Sequence, residues 1–353
     1  MSITTPHGRG AAENPPNRFI PLERVRYDEW LAEDDPAPTT RFFRDQSRTI
    51  LTTNDSPDVP FTYSLNPYRG CEHGCIYCYA RPTHEWLSLS AGLDFESQIF
   101  VKEDAPDLLR HELLAKKWVP QSISISGITD AYQPIERRLE VTRRCLKVFA
   151  EFRNPVGIIT KNALVARDID VLQPLAAVNA AMVFISVTTL DPELSRVMEP
   201  RASTPAARLR AIVELSAAGI PVGVMNAPII PGLNDHETPA ILDACAAAGA
   251  IAAGYVVLRL PFAVKDLFST WLERHFPERK EKVLGRIREI RGGKLNDTRF
   301  GSRMRGEGEW ADVFGKMFQV HRQRAGLAKR GPTLSAAAFK TGRPVQRSLF
   351  GEE

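Results

Sequence analysis

The sequence predicts an α/β protein whose core is a partial (βα)6 barrel of parallel strands, followed by a helical, basic C-terminal extension. Two observations lead to this fold class. Short, β-branched apolar runs recur along the chain, and amphipathic helical segments separate them. Because parallel neighbours need a crossover connection, strands that alternate with helices indicate βαβ units. Six such units in about 200 residues suit an open barrel better than a complete eight-unit barrel.

The expected elements follow from these patterns. Strands are expected at residues 60–65, 122–126, 156–160, 181–188, 221–226 and 252–258. Helices between them are expected at residues 106–118, 138–152, 204–219 and 238–249. Beyond residue 260 the alternation stops, and further helices are expected at residues 262–276, 277–290 and 311–324. We therefore divide the chain into a partly disordered N-terminal arm, a barrel core, a helical extension and a flexible tail, at residues 1–54, 55–262, 263–328 and 329–353.

Composition and charge narrow the class of protein. Of 353 residues, 43% are hydrophobic and 25% are charged, which excludes collagen-like, disordered and disulfide-scaffold chains. No window reaches the roughly 18 apolar residues of a membrane span, and the N-terminus lacks the apolar region of a secretory signal. We therefore expect a cytoplasmic protein with no membrane partner. Residues 261–353 carry 20 basic and 11 acidic side chains, which favours nucleic acid as a partner, although a solubilising surface has the same pattern.

Three of the five cysteines lie close together, and they indicate a metal site. Cys71, Cys75 and Cys78 are spaced C-x3-C-x2-C. Three thiolates on one loop can hold three irons of a [4Fe–4S] cluster and leave the fourth iron open to a small molecule. The alternative is a structural zinc site, for which His73 is the available fourth ligand. The remaining cysteines, at positions 145 and 245, lie in amphipathic segments and are expected to be buried apolar residues.

The cysteine spacing, with Tyr77 before the last cysteine, resembles the motif of the radical S-adenosylmethionine enzymes. The strings GCEHGCIYCYA and GITDAYQPIE are similar to the branch that contains spore photoproduct lyase and uncharacterised bacterial relatives. The resemblance implies a radical SAM core with a [4Fe–4S] cluster and S-adenosylmethionine as cofactors, and a flavodoxin or ferredoxin as reductant. It implies reductive cleavage of S-adenosylmethionine to a 5′-deoxyadenosyl radical. The sequence names no substrate and no catalytic residue, and DNA or RNA repair or modification is the expected use.

Candidate cofactor contacts come from the same resemblance, because ligands bind at the carboxyl ends of parallel strands. The expected contacts are Tyr77, Tyr79, Thr129, Asp130, Lys161, Ser186 and Arg201. Thr129 and Asp130 correspond to a Ser-Asp pair of the lyase, and Lys161 and Arg201 are candidates for the cofactor carboxylate. For each polar side chain, an ordinary cap or loop hydrogen bond is the alternative. Where the lyase has a hydrogen-donating cysteine, this chain has Gly127, so the hydrogen-return step is expected to differ.

The C-terminal tail contains the sequence QRSLF, which resembles the short peptides that dock bacterial repair and replication proteins on the sliding clamp. The candidate contacts are Gln346, Leu349 and Phe350, and a chance pentapeptide is the alternative. Basic residues upstream either bind nucleic acid or form an ion-pair network that closes the open side of the barrel, and they are Arg291, Lys294, Arg299, Arg303 and Arg305. The alternative to an enzyme is therefore a nucleic-acid-binding or clamp-binding protein that a metal cluster stabilises and that has no turnover.

Overall fold

The computed structural model of the chain describes residues 8–19 and 39–341. The strands are β1 (Arg41–Arg44), β2 (Leu51–Thr53), β3 (Tyr63–Leu65), β4 (Tyr68–Arg69), β5 (Gln98–Val101), β6 (Ile123–Ile125), β7 (Val156–Thr160), β8 (Ala181–Ser186), β9 (Val222–Ile229) and β10 (Ala252–Val257). The α-helices are α1 (Leu93–Ser97), α2 (Ala105–Leu114), α3 (Glu136–Leu139), α4 (Val141–Phe152), α5 (Ile169–Ala176), α6 (Pro192–Met198), α7 (Pro205–Ala217), α8 (Thr238–Ala247), α9 (Val264–His275), α10 (Pro277–Glu289), α11 (Ser302–Arg305) and α12 (Glu309–Arg324). Short 3₁₀ helices span Arg81–Leu87, Ala163–Asp168 and Asp235–Glu237.

The larger sheet forms the core of the molecule. Within the described residues it has seven strands in the order β10-β9-β8-β7-β6-β3-β2. Six of them run parallel, and β2 is antiparallel to β3 at one edge. The expected α/β class with six parallel strands is thus confirmed, and β10 and β2 lie at the two ends of the strand order. The helical C-terminal region is also present, as α9 to α12.

Local sequence explains where the core elements begin and how they pack. The expected helix at 138–152 is divided, because Glu140 has a left-handed backbone conformation (φ 52°) and α4 begins only after it. In the sheet, Phe184 of β8 covers Gly223 of β9, where a Cβ would lie 2.3 Å from the Phe184 ring. Glycine at this position therefore leaves room for the Phe184 ring against the neighbouring strand.

Segments from both ends of the chain pack on this core. Strand β2, which falls inside the expected N-terminal arm, joins the larger sheet. Within the expected tail, the ring of Phe339 lies 6.2 Å from the ring of Phe152, and the Lys340 amide donates to the Phe152 carbonyl at 2.7 Å. Helix α12 packs on β10 through Phe314 and Phe318, which contact the Tyr255 ring.

A smaller sheet, ordered β1-β5-β4, leads into the cysteine motif, since β4 ends two residues before Cys71. The N-terminal segment 8–19 lies against the same region. The Gly10 and Ala11 amides donate to the buried Glu96 carboxylate at 3.0 and 2.9 Å. The side chain of Glu96 also pairs with Arg81 at 2.5 Å. This carboxylate therefore ties the N-terminal segment to the residues that follow the cysteines.

The close approach of the N-terminal segment gives a stability prediction. A Cβ on Gly10 would lie 1.8 Å from the Gly74 carbonyl oxygen, so Gly10→Ala must displace one of the two backbones. We expect a loss of about 1–3 kcal/mol in the free energy of unfolding, measured by urea denaturation. Gly285→Ala is the matched control, because nothing lies within 4 Å of its Cβ position and its helical setting favours alanine. Equal unfolding curves for Gly10→Ala and wild type would show that the segment is not packed this way.

Candidate functional site

The cysteine loop, which we define as residues 70–80, connects β4 to the 3₁₀ helix Arg81–Leu87. Cys71 and Cys75 are buried, and Cys78 is half-buried. The loop can turn sharply because Gly70 and Gly74 have positive φ angles of 80° and 66°. A Cβ on Gly74 would also lie only 2.8 Å from the Glu96 carboxylate. The sequence thus places three thiols on a tight loop at the carboxyl ends of the parallel strands.

The surroundings of the three sulfurs suit thiolate ligands. Burial raises the pKa of each thiol, so each sulfur keeps its proton until a metal ion takes the place of the proton. Opposing this, the Lys161 charge lowers the pKa of Cys75, the Arg81 and Lys161 charges lower that of Cys78, and backbone amides donate to the Cys71 and Cys78 sulfurs. Metal binding supplies the replacement, because it takes up thiolates and releases protons. The donor set therefore fits an iron–sulfur cluster.

The same thiols do not form a site for a single ion. Across residues 8–19 and 39–341, no three His, Cys, Asp or Glu side chains are grouped so that they could hold one metal ion. In a cluster each thiolate binds its own iron, so the sulfurs need not meet at one point. His73, the ligand that the zinc alternative requires, instead pairs with Asp130, at 3.4 Å between Nδ1 and Oδ2.

Two of the expected cofactor contacts hold the cysteine loop. Thr129 Oγ1 donates to the Gly70 carbonyl at 2.6 Å. Arg201 pairs with Glu72 at 3.0 Å, and its own amide donates to the His73 carbonyl at 3.2 Å. The alternative that we stated for these polar positions, a loop hydrogen bond, describes the contacts that both side chains make.

Asp130 is likewise engaged with protein groups. Its carboxylate accepts from the Thr160 hydroxyl at 2.7 Å and from the Lys161 amide at 2.8 Å, in addition to the contact with His73. Although burial alone would raise the pKa of Asp130, the contacts with His73, the Lys161 amide and Thr160 lower it. Asp130 is therefore a carboxylate that joins the ends of two strands to the cysteine loop.

Tyr77 belongs to a buried network that sequence reasoning missed. Its hydroxyl donates to Glu199, which also accepts from Thr188 and pairs with Arg208. Burial opposes ionisation of Glu199, but the charges of Arg208 and Lys161, together with hydrogen bonds from Tyr77 and Thr188, lower the pKa of the carboxyl. A single buried acid after α6 leaves no periodic signal in the sequence. Only the fold brings Glu199 and Arg208 to the cysteine loop.

Lys161 and Ser186 lie at strand ends beside this network. Lys161 follows β7, and its Nζ is 5.8 Å from the Tyr77 ring centroid. Ser186 is the last residue of β8 and is buried. The Lys161 charge lowers the pKa of the Cys75 and Cys78 thiols and also that of the Glu199 carboxyl.

Tyr79 marks the solvent side of the loop. It is 48% exposed, its hydroxyl donates to the Gly127 carbonyl, and the Arg259 guanidinium carbon lies 5.2 Å from its ring centroid. A Cβ on Gly127 would meet only the Asn66 side chain, at 3.8 Å.

Cys145 is fully buried in α4, as expected for an apolar packing residue.

The basic residues before α12 serve mainly as internal contacts, which is the ion-pair alternative that we stated. Arg291 is buried and donates to the Leu258 carbonyl at 2.7 Å. Arg299 bridges two carboxylates, and Arg303 pairs with Asp58 from the far end of the chain. Lys294 and Arg305 are exposed. Three of the five basic side chains therefore have partners within the chain.

Two expectations concern the C-terminal tail and the membrane. The clamp-binding residues Gln346, Leu349 and Phe350 lie outside the described residues, so that interaction stays a prediction. In the described part of the chain, no helix combines the length and apolar character needed to cross a bilayer.

With the site defined, comparison with known proteins identifies the class. Residues 65–245, slightly more than half of the chain, match the radical SAM superfamily, and the chain belongs to this superfamily of enzymes. Its members bind a [4Fe–4S] cluster and S-adenosylmethionine, which confirms the cofactors expected from the resemblance.

Particular relatives agree with this assignment. An uncharacterised protein of Mycobacterium tuberculosis is 37% identical over 234 residues, which cover 66% of this chain and 68% of that protein. An uncharacterised protein of Methanocaldococcus jannaschii is 33% identical over 175 residues, covering 50% of this chain and 63% of the relative. Spore photoproduct lyase complexed with dinucleoside spore photoproduct matches in structure with a TM-score of 0.59 at 15% identity, covering 82% of this chain and 80% of the lyase. At that identity the likeness establishes the fold.

The buried network around Tyr77 gives a second stability prediction. Glu199→Ala leaves the buried Arg208 charge without its partner, and we expect a loss of about 3–5 kcal/mol in the free energy of unfolding. Glu193→Ala is the control, because Glu193 pairs with Arg196 on the surface, where ion pairs contribute little. Urea denaturation of both variants checks the prediction, and a wild-type unfolding curve for Glu199→Ala would contradict it.

Proposed function

We propose that the chain binds a [4Fe–4S] cluster through Cys71, Cys75 and Cys78 and cleaves S-adenosylmethionine reductively. The observation that supports this proposal most strongly is the cysteine loop itself, with three thiols on one tight turn at the carboxyl ends of parallel strands. Three cysteine ligands leave one iron free for the amino and carboxylate groups of the cofactor. The superfamily match covers this loop and the strands around it.

The cofactor contacts that we propose are two polar side chains at strand ends and two tyrosine rings of the cysteine loop. The Lys161 ammonium group would bind the cofactor carboxylate, and Ser186 would donate from the end of β8. Tyr77 and Tyr79 would pack against the adenosyl group, with Tyr77 held in place by Glu199. Thr129 and Arg201 would act indirectly, because each holds a residue of the cysteine loop.

The chemistry at this site depends on exclusion of water and on a fixed loop. When bound, the cluster supplies one electron that cleaves the carbon–sulfur bond of S-adenosylmethionine and yields a 5′-deoxyadenosyl radical. The chain's contribution is to bury Cys71 and Cys75 and to keep a positive charge, that of Lys161, beside the thiols. A flavodoxin or ferredoxin would supply the electron.

The substrate class that we propose is a damaged or modified nucleotide in DNA or RNA. Support comes from the fold shared with spore photoproduct lyase and from the exposed rim beside the loop, where Arg259 lies over the Tyr79 ring. Aromatic rings next to guanidinium groups stack well with bases. Gly127 offers no thiol for hydrogen return, so the reaction would end differently from that of the lyase.

The assay for this proposal uses anaerobically reconstituted, dithionite-reduced full-length protein. We expect 5′-deoxyadenosine from S-adenosylmethionine with wild type, and none with Cys75→Ala, which lacks one cluster ligand. Cys145→Ala is the matched control, because Cys145 is buried in α4 and should leave product formation unchanged.

Two results would contradict the proposal. One is the absence of 5′-deoxyadenosine from protein that carries a full complement of iron. The other is zinc in place of iron in the native protein, which would favour a binding protein without turnover.

A further inference from the structure

His73, within the cysteine loop, and Asp130, which follows β6, form a buried contact. His73 lies between Cys71 and Cys75, and its side chain is 1% exposed. The Asp130 side chain is 11% exposed, and its Oδ2 lies 3.4 Å from His73 Nδ1. No cofactor is needed to explain why these groups are buried together, because each satisfies the polar atoms of the other.

The position of the proton on His73 follows from its second neighbour, Asn162. The Leu164 amide and the Ser203 hydroxyl both donate to Asn162 Oδ1, each at 3.0 Å. An amide N–H must meet an oxygen, so the orientation of the Asn162 side chain is fixed. Its Nδ2 group then donates to His73 Nε2, at 3.2 Å.

Since Nε2 accepts this hydrogen bond, the ring proton of His73 lies on Nδ1 and points at Asp130. The three side chains therefore form a directed chain in which Asn162 donates to His73 Nε2 and His73 Nδ1 faces Asp130 Oδ2 at 3.4 Å. The direction matters because it leaves Asp130 as the acceptor, with its negative charge beside the loop.

Asp130 also accepts hydrogen bonds from residues that follow β6 and lie at the end of β7. Its Oδ1 accepts from the Tyr132 amide at 2.9 Å and from the Thr160 hydroxyl, and its Oδ2 accepts from the Lys161 amide. The carboxylate thus fixes the backbone of Lys161, whose charge acts on Cys75 and Cys78. One buried acid therefore contacts both the cysteine loop and the residue that carries this charge.

We infer that Asn162, His73 and Asp130 form a positioning relay that holds the cysteine loop against the ends of β6 and β7 and keeps a fixed negative charge beside the cluster. The inference rests on the proposed function, since it concerns the same site. It assigns Asp130 to positioning and electrostatics instead of direct contact with S-adenosylmethionine. Both oxygens of Asp130 already contact protein groups. Oδ1 accepts from the Tyr132 amide and the Thr160 hydroxyl, and Oδ2 accepts from the Lys161 amide and faces His73 Nδ1.

The relay makes a prediction that a purely structural role does not. A reduced cluster carries one more negative charge than an oxidised one, so a fixed carboxylate nearby disfavours reduction. Asp130→Asn removes the charge and keeps the shape of the side chain. We expect the reduction potential of the cluster in this variant to become less negative, measured by a dithionite titration followed by electron paramagnetic resonance without S-adenosylmethionine.

Asp168→Asn is the matched control. Asp168 is a fully buried carboxylate that accepts from Tyr132, Arg143 and Arg167, so its replacement removes the same charge from a network of similar size. We expect it to lower the melting temperature without changing the reduction potential. An unchanged potential in Asp130→Asn, or an equal shift in Asp168→Asn, would overturn the relay.

A second pair of variants decides the matter if Asp130→Asn does not assemble a cluster. His73→Gln keeps an N–H donor for Asp130, whereas His73→Leu keeps only the bulk. We expect His73→Leu to release iron to a chelator about 10-fold faster than wild type, and His73→Gln to restore slow release. Equal release rates in the two His73 variants would overturn the relay.

These outcomes are separable from those of the proposed function. If wild type assembles no iron–sulfur cluster, the proposed function itself fails. If wild type assembles the cluster and the variants behave like it, only the relay fails.

Discussion

Buried carboxylates from three parts of the chain hold the cysteine loop, and the rest of the site depends on these contacts. Glu96 binds the N-terminal segment and Arg81 beyond the last cysteine, Glu199 fixes Tyr77 within the loop, and Asp130 contacts His73 between the first two cysteines. Each buried charge has partners that offset the cost of leaving water. The loop is therefore held by buried contacts between and after its three cysteines.

The parallel sheet explains why these contacts can form. Its strands end on one side of the molecule, so the residues that follow β6, β7 and β8 lie together although they are far apart in sequence. Side chains at those ends serve two purposes. Some, such as Asp130 and Thr129, hold the loop, and others, such as Lys161, remain available for a ligand. The C-terminal helices and the basic residues before α12 complete the outer packing of the sheet.

The sequence predicts the strands and the cysteine site well and the buried networks poorly. The apolar run of β7 leaves a strong local signal, because each of its residues is buried or half-buried in the sheet. The cysteine spacing is a local signal too. Glu199 and Arg208 give no comparable pattern, because their pairing is defined only by the packing of α6 and α7 against the loop. The same limit applies to Arg303, whose partner Asp58 lies 245 residues away.

We propose that the three thiols leave one iron open for S-adenosylmethionine. The decisive experiment is electron paramagnetic resonance of the reduced full-length protein, recorded before and after addition of S-adenosylmethionine. We expect the signal of a reduced [4Fe–4S] cluster whose g values change when S-adenosylmethionine is added, because a new ligand binds the open iron. A cluster signal that stays the same at saturating S-adenosylmethionine would show that no iron is open to the cofactor.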